Sequence, residues 1–389
     1  MDFGDSPDEA GFRSRLRAWL RANNPGLPAS STSDDYWAGA ADWHRSLYDA
    51  GFFAMSWPKD IGGQELPTVY EVILDEELAA AGAPPRPSLG YLVQGILAHG
   101  NDDIRRRFLP GIVNGRDRWC QGFSEPDAGS DLASLRTRAE RDGDEWVITG
   151  QKVWNTLAHI ADRGMLVART DPDAPKHKGM TYFGLDMHAP GVEVRPLRQM
   201  TGEAEFNEVY LTEVRVPDAD RIGDVGEGWR VSMTTLMNER TSIGGGGGGV
   251  PPRGSGAIAE AVRIWHEEVL DKRPAVRDEL MKLWVDAEVL RLTNIRAGQN
   301  RRAGNPGPEG SIAKLKFAEV NMAIYELCVD LLGADALVGY DYEMRRAEQL
   351  GLTGPPGSSR KMFLRARANS IEGGTSEIQR NIIATSLGL

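Results

Sequence analysis

The chain has 389 residues, with 45 lysines and arginines against 56 aspartates and glutamates, and a net charge of -11 at pH 7. This length exceeds one ordinary hydrophobic core and predicts two or three domains, because a domain usually takes about 150 residues. The acidic balance argues against a general affinity for nucleic acid or anionic lipid, although local basic patches could still bind phosphates.

Several other functional classes lose support because their motifs are missing. The two cysteines, Cys120 and Cys328, are far apart and form no CxxC pair, so neither a disulfide framework nor a thiolate metal site is indicated. The histidines show no metal-ligand spacing, and no GxSxG nucleophile motif occurs. The N-terminus has no signal or transit pattern, and no uncharged apolar run reaches the roughly 18 residues of a membrane span. We therefore predict a protein without a metal centre in a reducing, cytoplasmic compartment.

The first 117 residues are predicted to form an N-terminal α-helical domain. Ser6, Pro7 and Glu9 supply an N-cap, a first-turn proline and a reciprocal capping glutamate for the opening helix. Further helical patterns run over residues 69–78 and 104–113.

Short strands with turns replace the helices from about Trp119 to residue 226. The segment RAERDGDEWVITGQKVW predicts a hairpin, with Asp142-Gly143 as the turn signal. Four later segments have the same strand-like character: GMLVART, MTYFGLDM, VEVRPL and NEVYLTEVRV. The middle block, residues 118–226, is therefore predicted to be a β-domain.

Helical patterns return in residues 227–389. The apolar residues of one long predicted helix share a face: Val276, Leu280, Leu283, Ala287 and Leu290. Another helix is predicted over residues 315–332, ended by Gly333. Six glycines at 244–249 satisfy GxGxxG, but they follow a helix rather than a strand, which indicates a mobile loop instead of a dinucleotide-binding turn.

Two segments of the middle block carry the most specific pattern in the chain. They read Gly122-Phe123-Ser124-Glu125-Pro126-Asp127-Ala128-Gly129-Ser130-Asp131 and, at a matching distance, Gly150-Gln151-Lys152-Val153-Trp154-Asn155-Thr156. Residues 124–131 alone would also be typical of an ordinary turn, because serine, proline, aspartate and glycine are turn formers. Together the two segments resemble the acyl-CoA dehydrogenase family, and the resemblance covers the whole chain.

The resemblance implies an α+β fold and an FAD cofactor. Its three domains are an N-terminal helical domain (1–117), a middle β-barrel or β-sandwich domain (118–226) and a C-terminal four-helix-bundle domain (227–389). The middle-domain positions that match cofactor contacts are Gln121, Phe123, Ser124, Ser130, Trp154, Asn155 and Thr156. Hydroxyls and backbone amides can hydrogen-bond the polar edge of a flavin while an aromatic side chain covers one side. Ser130 also matches a substrate position near the thioester arm, and Trp154 by itself would be more typical of a core residue.

The C-terminal segment Ile371-Glu372-Gly373-Gly374-Thr375-Ser376-Glu377-Ile378-Gln379-Arg380 resembles the closing motif of the same family. Members with the common arrangement read Tyr-Glu-Gly-Thr there, and the glutamate removes the α-proton of the substrate. When Gly374-Thr375 is placed on the family Gly-Thr, Gly373 takes the base position and Glu372 the tyrosine position. Adjacent side chains point roughly 100 to 180 degrees apart, so this shift matters for a base that must reach its proton.

The resemblance still implies roles for this closing segment. Glu372 is the second candidate for the catalytic base, and Gly373 keeps a backbone amide that could bind the thioester carbonyl of the substrate. The positions that match FAD contacts are Gly374, Thr375, Ser376 and Glu377.

The first candidate for the base lies more than 130 residues earlier. A branch of the family carries its base on a helix of the C-terminal domain, just before an arginine, and Glu239 and Arg240 fall on those positions. Leu236 and Thr235 lie three and four residues before Glu239, so its side chain extends over a partly apolar surface. Arg240 matches a position near the coenzyme A arm of the substrate. A solvated glutamate and a surface salt bridge are the plainer alternatives for this pair.

The resemblance thus implies a dehydrogenase that converts an acyl-CoA thioester into a trans-2-enoyl-CoA and passes electrons to an electron-transfer flavoprotein or a similar acceptor. Two family segments that reach the FAD of a neighbouring subunit are not intact, at residues 272–277 and 330–337. A homotetramer or a hetero-oligomer with a related subunit is therefore expected. An acyl-CoA oxidase, a structural subunit that binds little flavin, and a carrier-protein thioester as substrate stay open as alternatives.

Overall fold

Helices, then strands, then helices follow one another along the chain, in the order predicted from the sequence. The computed structural model describes residues 5–26, 33–87, 89–243, 252–302, 307–338 and 358–389. The glycine run at 244–249, predicted to be a loop, lies outside the described residues.

The described N-terminal part is helical. Its helices are α1 (Pro7–Asn23), α2 (Ser33–Asp49), α3 (Val69–Ala80), α4 (Gly90–His99) and α5 (Asp102–Val113). The Ser6 side chain accepts the N–H of Glu9 while the Glu9 carboxylate accepts the N–H of Ser6, so the predicted capping box is confirmed. Helices α3 and α5 cover the two further segments predicted to be helical.

The middle part forms one sheet, which contains eight strands in the described residues. The strands are β1 (Trp119–Gly122), β2 (Arg138–Asp142), β3 (Glu145–Val153), β4 (Arg163–Arg169), β5 (Met180–Asp186), β6 (Val192–Leu197), β7 (Phe206–Pro217) and β8 (Arg221–Ile222). Their order is β6-β7-β3-β2-β4-β5-β8, and β1 pairs with β4. Strands β2 and β3 form the predicted hairpin, in which Gly143 has a φ of 65°, a conformation that glycine adopts without strain.

The described C-terminal part is helical again. Its helices are α6 (Gly228–Ile243), α7 (Ala257–Glu267), α8 (Pro274–Arg302), α9 (Glu309–Leu332), α10 (Ser359–Ala366) and α11 (Ser376–Ser386). Gly333, with a φ of 59°, ends α9 as predicted. No helix in the described ranges is long and apolar enough to cross a membrane.

The chain divides into two compact units, each with its own packing. The first contains the N-terminal helices, the sheet and α6 up to Asn238, and the second contains residues 198–203 and the remaining C-terminal helices. In the first unit, β4 and β5 are buried on both faces, because Val167 and Tyr182 join the N-terminal helices in one apolar cluster while Leu166 and Phe183 join the other. The predicted apolar face of α8 packs in the second unit, where Leu280 is buried in a cluster with α7 and α9.

A buried histidine in the first unit makes folding sensitive to acid. His44 is 7% exposed, its Nε2 lies 3.0 Å from the carbonyl oxygen of Val113, and its ring packs on Phe53. Burial lowers the pKa of His44 to about 4, because the charged imidazolium is poorly solvated there.

We therefore expect the free energy of unfolding to decrease between pH 7 and pH 5. Over this interval the unfolded chain binds a proton at His44 that the folded chain does not, which costs about 2 kcal/mol of stability. Urea unfolding at the two pH values measures the difference. The difference in the free energy of unfolding between pH 7 and pH 5 should be smaller by this amount in His44→Gln. It should be unchanged in His188→Gln, which removes an exposed histidine. Equal pH dependence in His44→Gln and the wild type would contradict the assignment.

Candidate active site

A buried ion pair holds the first predicted cofactor segment against the sheet. Lys152 on β3 is 0% exposed, and its ammonium donates to the Glu125 carboxylate at 2.8 Å and to the Phe123 carbonyl at 3.1 Å. The same carboxylate accepts the backbone N–H groups of Arg136 at 2.6 Å and Thr137 at 2.9 Å. The loop that carries Ser124 is thus fixed from two directions.

Burial and the opposite charge of the partner act in opposite directions on the pKa of each member of this pair. Burial lowers the pKa of Lys152 to about 8, against the opposing effect of Glu125. Burial alone would raise the pKa of Glu125, but the Lys152 charge and the two backbone donors outweigh it, so that pKa falls below its usual value. Glu125 therefore stays ionised at neutral pH and serves as the anchor of the loop.

Trp154 projects from the end of β3 in a conformation that few bulky residues adopt. Its φ is 65°, in the left-handed region, and its side chain is 56% exposed. The next residue, Asn155, is locked by reciprocal backbone hydrogen bonds with Asn207 at 3.0 and 3.1 Å. Ring centroids of Trp154 and Phe206 lie 5.7 Å apart in an edge arrangement. A strained, exposed aromatic residue held this firmly is typical of a ligand-binding position.

The structure brings the segment with Gln121 and Ser124 into contact with the segment with Trp154 and Asn155, near the ends of β1 and β3. The Ser124 carbonyl accepts the N–H of Val153 at 2.9 Å, and the Asn155 side chain donates to the Gln121 carbonyl. Of the predicted cofactor contacts, Ser124 and Gln121 are half-buried and Ser130, Trp154 and Thr156 are exposed.

Two of the predicted contacts have buried side chains. Phe123 packs edge-on against Tyr182 in the core, and Asn155 is 1% exposed. In this conformation both side chains support the loop. Asn207, which sequence reasoning did not single out, completes this support: its side chain donates to the Asn155 carbonyl at 2.9 Å.

Glu239 lies on α6, one turn after a buried stretch of the same helix face. Thr235 is 0% exposed and Leu236 packs against the first apolar cluster. Residues three and four apart share a helix face, so the half-buried Glu239 continues the side of α6 that these two residues define. The side chain of Arg240 lies outside the described residues.

Glu372, the second candidate base, is held by other side chains of the second unit. Its carboxylate receives two hydrogen bonds from the Arg365 guanidinium, at 2.9 and 3.2 Å, and one from Asn369 at 2.7 Å. Asn369 is itself fixed by Asn321 at 2.7 Å. Arg365 and Asn369 thus hold the Glu372 carboxylate in one orientation within the second unit.

The glycines after Glu372 lead into the N-terminus of α11. Gly373 and Gly374 have φ values of 64° and 93°, which only glycine adopts readily. Thr375 is the N-cap, and its hydroxyl accepts the N–H of Ile378 at 3.3 Å. Glu377 is exposed in the first turn, where its own backbone N–H and the Thr375 hydroxyl lower its pKa. A capped helix N-terminus with free N–H groups attracts phosphates.

In the first unit, Trp154 offers a flat aromatic face and Ser124 and Thr156 offer hydroxyls, groups of the kind that bind a flavin ring. In the second unit, the start of α11 offers backbone N–H groups suited to a phosphate. Of the two segments that depart from the family pattern, residues 272–275 are exposed at the start of α8, and 333–337 form a short 3-10 helix after α9.

Comparison with known proteins extends the likeness over the full chain. Models of the N-terminal, middle and C-terminal domains of acyl-CoA dehydrogenases match residues 6–116, 120–214 and 226–388. The acyl-CoA dehydrogenase IpdE1 of Mycobacterium tuberculosis is 36% identical over 389 residues, which covers 96% of this chain and 95% of that protein.

Two solved structures have a similar fold. The Tcur3481-Tcur3483 steroid ACAD is 27% identical, with a TM-score of 0.77 and coverage of 100% of this chain and 99% of that one. The ChsE4-ChsE5 complex from Mycobacterium tuberculosis is 29% identical, with a TM-score of 0.75 and the same coverage.

Proposed function

Since the chain belongs to the acyl-CoA dehydrogenase family of oxidoreductases, we propose that it binds FAD and dehydrogenates an acyl-CoA thioester between the α and β carbons. The observation that carries the proposal is the exposed Trp154, held at a φ of 65° beside Ser124 and Thr156. A tryptophan side chain is usually buried in a folded protein. The exposed face of Trp154 is suited to contact with a planar ring.

Glu239 is the base that removes the α-proton in this proposal. Two observations support this role: Glu239 falls on the family position just before Arg240, and it continues a partly apolar helix face.

The remaining roles follow from the same assignment. The backbone N–H of Gly373 donates to the thioester carbonyl and stabilises the negative charge that develops there as the α-proton leaves. Ser130 and Arg240 contact the substrate arm, and Ser124, Trp154 and Thr156 hold the cofactor ring. Bound FAD supplies the acceptor for the hydride that leaves the β carbon. The product is a trans-2-enoyl thioester, and the electrons pass on to an electron-transfer flavoprotein or a similar acceptor.

We further propose that the protein works in an oligomer, with a related subunit as partner. The altered segments at 272–277 and 330–337 support a partner chain that completes the adenine end of the cofactor site. The names of two similar structures each join two different proteins, Tcur3481 with Tcur3483 and ChsE4 with ChsE5. One of those names describes a steroid enzyme, so ring-bearing acyl groups belong among the candidate substrates.

An anaerobic titration of the purified protein tests the function. The protein is loaded with FAD and mixed with straight-chain, branched and steroid-bearing acyl-CoA thioesters while the visible flavin absorbance is followed. We expect at least one thioester to bleach the flavin, with a 2-enoyl thioester as product. Bound flavin that stays oxidised with every thioester would overturn the proposal. Stoichiometric peroxide in air would identify an oxidase, and protein that stays colourless after FAD addition would identify a structural subunit.

A further inference from the structure

A second buried lysine lies beneath the closing segment, in the second unit. Lys314 on α9 is 0% exposed, and its ammonium donates to the Gly374 carbonyl at 2.6 Å. Lysine is among the residues least often buried, because removing its charge from water is costly unless strong polar contacts compensate. A short, charge-assisted bond to a backbone carbonyl is such a contact. The buried ammonium of Lys314 is therefore a fixed hydrogen-bond donor to the loop at Gly374.

Gln379 on α11 also donates hydrogen bonds to this loop. It is also 0% exposed, and its amide nitrogen donates to the Gly373 carbonyl at 2.9 Å and to the Gly374 carbonyl at 3.2 Å. A Cβ on Gly374 would lie 2.8 Å from that nitrogen, so this close approach requires glycine in addition to the φ of 93°. Two consecutive carbonyls are thus held by side chains from two helices.

Fixing these carbonyls also fixes the amide groups of the loop. In a trans peptide the C=O and the following N–H point in opposite directions, and the described chain contains no cis peptide. With the carbonyls of Gly373 and Gly374 turned toward Lys314 and Gln379, the N–H groups of Gly374 and Thr375 point away from them. On the other side of Gly373, the Arg365 and Asn369 contacts anchor Glu372.

The Gly373 amide lies between these two anchors. No backbone hydrogen bond of the described residues uses the N–H of Gly373 or of Gly374. Within that part of the chain, no backbone acceptor therefore competes with a ligand for these donors. A donor that is preorganised in this way stabilises developing charge without reorganisation during the reaction.

We propose that Lys314, assisted by Gln379, is a positioning residue: by holding the Gly373 and Gly374 carbonyls it fixes the backbone on the C-terminal side of Gly373, while the bound Glu372 fixes the other side, and the Gly373 amide is thereby kept in place for the substrate carbonyl. Its catalytic consequence rests on the proposed function, whereas its effect on the loop does not. Lys314 touches no reacting atom in this account. It acts through the peptide groups between Glu372 and Thr375.

The test compares Lys314→Met with Lys316→Met in the full-length, FAD-loaded protein. Lys316 lies on the same helix and pairs with Asp286 at the surface at 3.3 Å, so its variant controls for the loss of a lysine from α9. The first measurement is amide hydrogen exchange in peptides covering residues 371–380. The N–H groups of Ile371, Glu372, Ile378 and Gln379 are hydrogen-bonded there, and we expect them to exchange about 10-fold faster in Lys314→Met only.

The second measurement is the single-turnover rate of flavin reduction by a thioester that bleaches the wild type. We expect a decrease of about 10- to 100-fold in Lys314→Met, with FAD content and substrate dissociation constant close to those of Lys316→Met. Unchanged exchange in Lys314→Met would overturn the proposal. A Lys314→Met variant with less bound FAD, a lower melting temperature and weaker substrate binding would also overturn the proposal. That result would show that Lys314 supports the structure in general.

A second variant and a separate measurement cover the cases in which the first comparison cannot be made. If Lys314→Met does not yield folded protein, Gln379→Leu removes the second set of donors and is judged by the same readouts. If no thioester reduces the wild-type flavin, the proposed function fails, but the exchange measurement still decides whether Lys314 fixes the loop.

Discussion

Replacing Glu239 by glutamine is expected to abolish substrate-dependent bleaching of the flavin while FAD stays bound. Glutamine keeps the size and polarity of the side chain but cannot accept a proton from carbon at neutral pH. Loss of a general base typically costs 10²- to 10⁴-fold in rate, so we expect a decrease of about this size in the reduction rate under anaerobic conditions. Stopped-flow absorbance with the thioester that reduces the wild type measures it.

Glu372→Gln is the matched control for this experiment. It makes the same chemical change at the other candidate, whose carboxylate is bound by Arg365 and Asn369. We expect this variant to keep bleaching and to lose some thermal stability, since the side chain of Arg365 is only 12% exposed and its ion pair with Glu372 would be lost. Full-rate bleaching by Glu239→Gln would contradict the assignment of Glu239. Loss of bleaching in Glu372→Gln alone, without loss of FAD, would make Glu372 the base.

Local signals in the sequence were sufficient for most of the fold. The capping box at Ser6, the hairpin turn at Gly143 and the helix end at Gly333 each depend on residues close in sequence, and all three are present. The two family segments that contain Ser124 and Trp154 meet in the structure, because the N–H of Val153, next to Trp154, donates to the Ser124 carbonyl.

The supports of the site were harder to predict, because they depend on contacts between distant residues. Lys152 and Lys314 look like ordinary exposed lysines in sequence, and only the fold buries them. Sequence spacing also gave no sign that Glu372 meets Arg365, since the contact needs the turn after α10. The left-handed conformation of Trp154 is another case, because no glycine or asparagine marks it.

Breaking the Lys152–Glu125 pair is the stability change from which we expect the largest effect. Lys152→Met would leave the Glu125 carboxylate, 8% exposed, without its cation. Removing one partner of a buried ion pair typically costs about 3–5 kcal/mol, mostly because the other charge stays desolvated. Glu125→Gln should cost a similar amount by stranding the ammonium.

The two changes share one interaction, so their effects should not add. In Lys152→Met/Glu125→Gln no buried charge is left unpaired, and we expect the double variant to lose clearly less than the sum of the single losses. Urea unfolding of the two single variants and the double variant measures the coupling. Lys178→Met serves as the control, because Lys178 pairs with Glu227 at the surface at 3.4 Å and is 67% exposed, so about 0–1 kcal/mol is expected there. Additive losses at Lys152 and Glu125 would show that the pair does not hold the loop. A non-additive loss together with weaker FAD binding would tie this buried pair to the position of Ser124.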